Sequence, residues 1–333
     1  MDLNVAILGG GSWGTTVAHL ISRNTHAHLW ARNPDTVQEI NTQHTNQTYL
    51  PGAVLSPKLR ASDDIEDVVK YADVVVMAVP SQHFRSVLTR ITGSIRPWVP
   101  VISLTKGLER GSNLRMTQLI HELLPGHPSG VLTGPNLARE IMAGQAAASV
   151  IAMKDPIIMQ ALQKVFSSGL FRCYTNPDVI GCELGGVLKN VIAIAVGMGD
   201  GLGAGDNTRS ALITRGLAEI SRLGVALGGQ AETFAGLAGM GDMIATCTSD
   251  QSRNRRVGME LAQGRTVDQI TESMFMVAEG LKSAPVVLEL AAQNNIQMPI
   301  VEDVFKVITG ESSPNRIFKG LLRVTAGAES EPG

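Results

Sequence analysis

Val5-Ala6-Ile7-Leu8-Gly9-Gly10-Gly11-Ser12-Trp13-Gly14-Thr15 decides the fold. Its first half is an apolar, β-branched run with the character of a buried strand. It breaks into glycines and restarts as Thr15-Thr16-Val17-Ala18-His19-Leu20-Ile21, which reads as a helix. Gly9, Gly11 and Gly14 stand in the G-x-G-x-x-G spacing of a dinucleotide-binding turn, between strand and helix as that turn requires. The first glycine permits the tight turn and the second lets backbone approach a pyrophosphate. The third permits close helix–strand packing, and the helix N-terminus offers free N–H groups to the phosphates.

Working outward, Ala27-His28-Leu29-Trp30-Ala31 gives the second strand, one helix after the first. Folds selective for NAD usually end this strand on an acidic residue that accepts the ribose hydroxyls. Here Arg32 follows, and a guanidinium suits a 2′-phosphate, so NADPH is expected to serve at least as well as NADH. Asn33-Pro34 starts a helix, and Thr45 to Leu59 reads as loop. Further buried strands are expected at Asp73–Val79, Val101–Leu104, Val131–Thr133 and Ala148–Ala152. Helices are expected over Asn113–Leu124 and Pro156–Ser167. Alternating strand and helix predicts an α/β, Rossmann-type doubly wound sheet over residues 1–180. Beyond Gly181 only helical periods remain, among them Asn207–Leu223 with Asn207 as N-cap and Gly224 as its stop. Others are Val267–Met274, Ser283–Asn294 and Ile300–Thr309. The prediction is an all-α domain over residues 181–325 and a loose tail over 326–333.

Two domains suit 333 residues, and at that size no disulfide or metal staple is needed. A formal charge of −2 gives no global attraction to nucleic acid or to an anionic membrane. Cys173, Cys182 and Cys247 make neither a CxxC pair nor a zinc pattern, which predicts buried free thiols and no metal site. No run of about 18 uncharged apolar residues marks a membrane span. The first strand starts within a few residues of Met1, leaving no room for a signal peptide, so a cytoplasmic location is expected.

Ligands of open α/β sheets bind at the carboxyl ends of the strands. Lys106 sits just past one such end, beside Gly107, and either points into the crevice or is solvated. Lys189 is more pointed: with Asn190 it is the only polar residue in LGGVLKNVIAIAVGM, residues 184–198. That segment reads as a buried helix. A lysine in it either snorkels to water or is buried, and desolvation moves a buried lysine towards general-base duty. Ala238-Gly239-Met240-Gly241-Asp242 ends a glycine-rich turn on a carboxylate that can bond a ligand, orient a lysine or cap a helix. Ser252-Arg253-Asn254-Arg255-Arg256 is the densest basic cluster, beside a helix start suited to one phosphate group or to solvent.

Together with Gly134-Pro135-Asn136-Leu137-Ala138-Arg139-Glu140, Gly185-Gly186-Val187-Leu188-Lys189-Asn190 and Val277-Ala278-Glu279-Gly280, these blocks run nearly end to end. In their order the chain resembles the bacterial NAD(P)-dependent glycerol-3-phosphate dehydrogenases. The resemblance implies reversible oxidation of sn-glycerol 3-phosphate to dihydroxyacetone phosphate with NADPH or NADH, supplying phospholipid synthesis, in a cytoplasmic homodimer. It implies that Lys189 exchanges the substrate's proton. It places Lys106, Gly134, Asn136, Asp242, Ser252, Arg253 and Asn254 on the substrate. Ser12, Trp13, Arg32, Lys106, Ala138, Arg253, Val277 and Glu279 fall on the cofactor, joining Gly9, Gly11 and Gly14 of the turn. Asn136 departs from the family, which usually has Ser or Thr there.

The competing enzyme reading is a β-hydroxyacid or 6-phosphogluconate-type dehydrogenase. Those typically place an asparagine four residues after the lysine, whereas Asn190 follows Lys189 directly. A dinucleotide-binding sensor without catalysis would need a docking module, and the sequence offers no basic helix-turn-helix.

Overall fold

The computed structural model describes residues 2–274 and 278–316. The tail expected over 326–333 lies outside the described residues. The chain divides into two compact units, Met1–Val179 and Ile180–Gly333.

The first unit is one eight-stranded sheet: β1 (Asn4–Leu8), β2 (His26–Trp30), β3 (Arg60–Ser62), β4 (Val74–Met77), β5 (Val101–Ser103), β6 (Ser129–Thr133), β7 (Ala147–Met153) and β8 (Phe171–Asn176). Its helices are α1 (Ser12–Ile21), α2 (Pro34–Gln43), α3 (Ile65–Lys70), α4 (Ser81–Ile91), α5 (Met116–Leu123), α6 (Ala138–Met142) and α7 (Pro156–Phe166). Strand order is β3-β2-β1-β4-β5-β6-β7-β8. The first six follow the doubly wound order, which reverses between β1 and β4 and opens a crevice there. Val5, Ile7, Leu29, Val74 and Val76 feed the core on one face, and Ala6, Leu8, Val75, Met77 and Val101 that on the other. Burial on both faces is why these strands read as unbroken apolar runs.

Three features differ from the sequence expectation. β3 is only three residues long and β8 alternates buried Phe171 and Cys173 with exposed Arg172 and Tyr174, so neither forms an apolar run. β7 runs antiparallel to β6, so the sheet is mixed at that edge. α5 begins at Met116 rather than Asn113, because Asn113 has φ +59° and cannot sit inside a right-handed helix.

The second unit is helical: α8 (Val179–Gly201), α9 (Asp206–Ala226), α10 (Ala231–Ala235), α11 (Asp242–Thr248), α12 (Arg253–Ala262), α13 (Val267–Ser273), α14 (Glu279–Gln293) and α15 (Pro299–Ile308). By length and apolarity α8 is able to cross a membrane, yet 94% of its most apolar window is buried inside the protein. Its Leu188, Val191, Ile192 and Ile194 share one core with Leu212, Ile220, Val257, Val287 and Val304. Asn207 is not the cap of α9, which starts at Asp206 after Gly205. Gly224 does not stop that helix either: it lies inside α9, where a Cβ would strike the Phe234 ring. Glycine here serves close packing. α14 starts at Glu279, four residues before the expected Ser283.

Candidate active site

In the first unit the glycine turn follows β1 at the sheet's switch point. Gly9 has φ +132°, and a Cβ there would lie 2.5 Å from the carbonyl oxygen of Ala78 beyond β4. A Cβ on Gly14 would strike the Gly9 carbonyl, so α1 can lie against the turn only because residue 14 has no side chain. Gly11 differs: a Cβ would meet nothing within 4 Å. It stands at the N-cap of α1 without a side-chain cap, so the opening N–H groups face an open cradle. Ser12 Oγ donates to the Tyr49 carbonyl at 2.8 Å, closing one side. Trp13 stacks obliquely on Phe171 at 6.2 Å, and its buried indole Nε1 has no hydrogen-bond partner among the described residues. An open backbone cradle and an orphaned donor fit a dinucleotide bound there. Arg32, past the end of β2, is exposed, with Asn33 beside it capping α2 through Asp35 N at 2.9 Å. No carboxylate occupies the strand end.

Beyond β5, half-buried Lys106 donates from Nζ to the carbonyl of Gly134 at 2.8 Å. Gly134, with φ +132°, turns the chain after β6 and packs against Ser149 of β7. Two residues on, Asn136 Nδ2 donates to Ser149 Oγ at 3.2 Å. Ala138 opens α6.

In the second unit Lys189 is buried, so it does not snorkel to water. Its Nζ donates to Asp242 Oδ1 at 2.7 Å and to Thr246 Oγ1. The sequence explains the meeting. Gly185 and Lys189 lie one turn apart on the same face of α8. A Cβ at Gly185 would sit 2.5 Å from the Ala238 carbonyl, so glycine lets the 237–241 turn close on the helix. That turn is π-helical (Leu237–Gly241) and delivers Asp242 as the first residue of α11. Asp242 therefore orients the lysine instead of capping the helix, and its charge compensates the buried ammonium. Thr246 completes the trio, its hydroxyl donating to the Asp242 carbonyl at 2.7 Å. Its i, i+4 spacing from Asp242 puts both on one face of α11, a spacing too common to single it out in the sequence.

Ser252 caps α12 by accepting from Arg255 N at 3.2 Å. Asn254 is held at both ends of its amide: Nδ2 donates to Asn190 Oδ1 and Oδ1 accepts from Gly280 N, each at 2.9 Å. This stitches the helix carrying Lys189 to the starts of α12 and α14. Arg253 is solvent-accessible, but surrounding protein desolvates its guanidinium and lowers its pKa, opposed by the nearby Glu279 carboxylate. Val277 lies outside the described residues. All three cysteines are buried, and burial pushes the Cys247 thiol, near Lys189, up to about 12, so it is no nucleophile.

An open glycine cradle at a parallel-sheet switch point is what a dinucleotide requires, and it puts the chain in the class of Rossmann-fold, nicotinamide-dependent oxidoreductases. Comparison with known proteins narrows the class. Residues 4–158 match the sequence pattern described as NAD-dependent glycerol-3-phosphate dehydrogenase N-terminus, and residues 178–319 that of the C-terminus. The chain is 65% identical over 333 residues, the full length of both, to glycerol-3-phosphate dehydrogenase [NAD(P)+] 2 of Sphingopyxis alaskensis. It is 52% identical to the Mycobacterium bovis protein named glycerol-3-phosphate dehydrogenase [NAD(P)+] 1, covering 98% of this chain and 96% of that one. The crystal structure of glycerol-3-phosphate dehydrogenase from Coxiella burnetii superimposes with a TM-score of 0.91 at 36% identity, covering 97% of this chain and 99% of that one. The chain belongs to the NAD-dependent glycerol-3-phosphate dehydrogenase family.

Proposed function

We propose that Lys189 exchanges the proton on the C2 oxygen as this NAD(P)-dependent glycerol-3-phosphate dehydrogenase interconverts sn-glycerol 3-phosphate and dihydroxyacetone phosphate. The observation that carries this is the buried ammonium held by Asp242 and Thr246. When bound, the nicotinamide cofactor supplies or takes up the hydride at C2. In the reductive direction Lys189 Nζ gives a proton to the carbonyl oxygen and stabilises the negative charge developing there. In the oxidative direction the same nitrogen takes the proton back. Asp242 keeps the Lys189 nitrogen aimed in both directions.

Ser252, Arg253 and Asn254 bind the substrate phosphate at the start of α12, where the helix N-terminus and a guanidinium favour a dianion. Lys106, Gly134 and Asn136 contact the rest of the substrate. Gly9, Gly11, Ser12, Trp13 and Gly14 cradle the cofactor pyrophosphate, and Arg32 meets the adenosine ribose. Lys106, Ala138, Arg253, Val277 and Glu279 complete the cofactor contacts. The family likeness supports reductive flow towards phospholipid synthesis, a cytoplasmic location and a homodimer, the last checked by light scattering. Reduced-nicotinamide absorbance with dihydroxyacetone phosphate, run with NADPH and NADH, tests the activity. A fall in absorbance is expected; none with either cofactor overturns it.

A further inference from the structure

Asn136 carries a polar atom that no described residue satisfies. Its Oδ1 is buried and has no hydrogen-bond partner among the described residues. A buried acceptor left unpaired is costly and calls for an explanation. Which end of the amide is the oxygen follows from its neighbour. Ser149, fully buried on β7, has one hydroxyl proton, and its Oγ donates it to the Thr133 carbonyl at 2.7 Å. With that proton committed, Ser149 Oγ can only accept from Asn136, so Nδ2 faces it at 3.2 Å. Reversing the amide would set two acceptors against each other, or strip the Thr133 carbonyl of its bond. Ser149 thus fixes which end of the amide it meets and leaves Oδ1 as the unsatisfied acceptor.

A donor lies against the same turn. Lys106, beyond β5, bonds through Nζ to the Gly134 carbonyl, two residues before Asn136. A lysine donor held against the turn that carries an amide acceptor suits a neutral hydroxyl. Resting on the reading above, the substrate's phosphate and its C2 oxygen are already assigned. The terminal C1 hydroxyl is the remaining polar group, and it is a hydrogen-bond donor.

We propose that Ser149 is a positioning residue that orients Asn136 so that its Oδ1 accepts a hydrogen bond from the C1 hydroxyl of the substrate, making this pair a specificity determinant. A site built to bond a hydroxyl rejects the analogue lacking it, because the acceptor is then left unpaired.

The test compares kcat/KM for dihydroxyacetone phosphate with that for acetol phosphate, which carries a methyl group in place of the terminal hydroxymethyl. Wild-type protein prefers dihydroxyacetone phosphate. Ser149→Ala is expected to shrink the preference by about fivefold or more, the size of one neutral hydrogen bond. Asn136→Leu shrinks it similarly, and Ser149→Ala added to Asn136→Leu changes it no further. A purely structural role for Ser149 lowers kcat/KM for both substrates alike. An unchanged ratio in Ser149→Ala therefore overturns the proposal, as does an unchanged ratio in Asn136→Leu should Ser149→Ala not fold. No turnover of dihydroxyacetone phosphate by wild-type protein would instead overturn the activity on which the proposal rests.

Discussion

Lys189 Nζ and Asp242 Oδ1, 53 residues apart in sequence, meet at 2.7 Å in the interior of the helical unit. Neither charge is tolerable there alone, since each has lost most of its hydration. A pair kept at that cost, with a threonine hydroxyl beside it, sets one ammonium in one orientation. The reaction needs such a group, because the proton must reach a single oxygen.

The glycine turn separates cofactor space from packing space. Gly11→Ala has room for its Cβ and a φ of −74° that alanine adopts. It should leave thermal stability within about 0.5 kcal/mol and weaken NADPH binding about tenfold, by filling the cradle. Gly14→Ala should do the reverse in order: the clash with the Gly9 carbonyl should cost about 1–3 kcal/mol of stability before any ligand is added. Thermal melts and cofactor titrations of both variants decide it. Equal behaviour of the two would show that Gly11 does not border the cofactor.

Arg32 is exposed, and Ala31-Arg32-Asn33 after β2 carries no carboxylate. Arg32→Ala should raise the KM for NADPH by roughly 10-fold or more, the loss of one charge-assisted contact, and leave that for NADH within about twofold. Steady-state kinetics with each cofactor check this. Equal effects on the two would detach Arg32 from a 2′-phosphate.

Glu219 gives a pH prediction confined to the helical unit. Its buried carboxylate accepts from Ile300 N at 2.8 Å and Val301 N at 3.4 Å, capping α15. Burial pushes its pKa up from 4.5 to about 7; those two bonds and Arg222 oppose the shift, and Glu302 adds to it. The folded state therefore holds this proton more tightly than the unfolded chain. Stability from this group is full below pH 4.5 and falls as pH rises to 7, by an amount on the order of 3 kcal/mol. Glu219→Gln keeps the acceptor and loses the titration. Its stability relative to wild type should rise from pH 5 to pH 8 in urea denaturation, and a constant difference would contradict the assignment.

Much of this was legible in residue types. The strands buried on both faces and the glycine turn announced the sheet, and a lysine inside an apolar helix marked the residue that the fold buries beside Asp242. The missing strands, β3 and β8, were too short or too alternating to stand out. Gly224 read as a helix stop because sequence alone cannot show the Phe234 ring filling the space beside it. The hydroxyl partners of Lys189 and Asn136 were hidden for a related reason. Thr246 and Ser149 are ordinary hydroxyl residues until the fold sets them against an ammonium and an amide.

Proton transfer by Lys189 is tested by the rate of dihydroxyacetone phosphate reduction by Lys189→Met, measured beside cofactor binding. Removing one charge of a buried pair costs about 3–5 kcal/mol of stability, so Lys189→Met/Asp242→Asn, which removes both charges, is measured in parallel. Both variants should bind NADPH as wild type does and lose roughly 100-fold or more in kcat, the contribution of a positioned proton donor. Near-normal kcat in either would show that another group handles the proton.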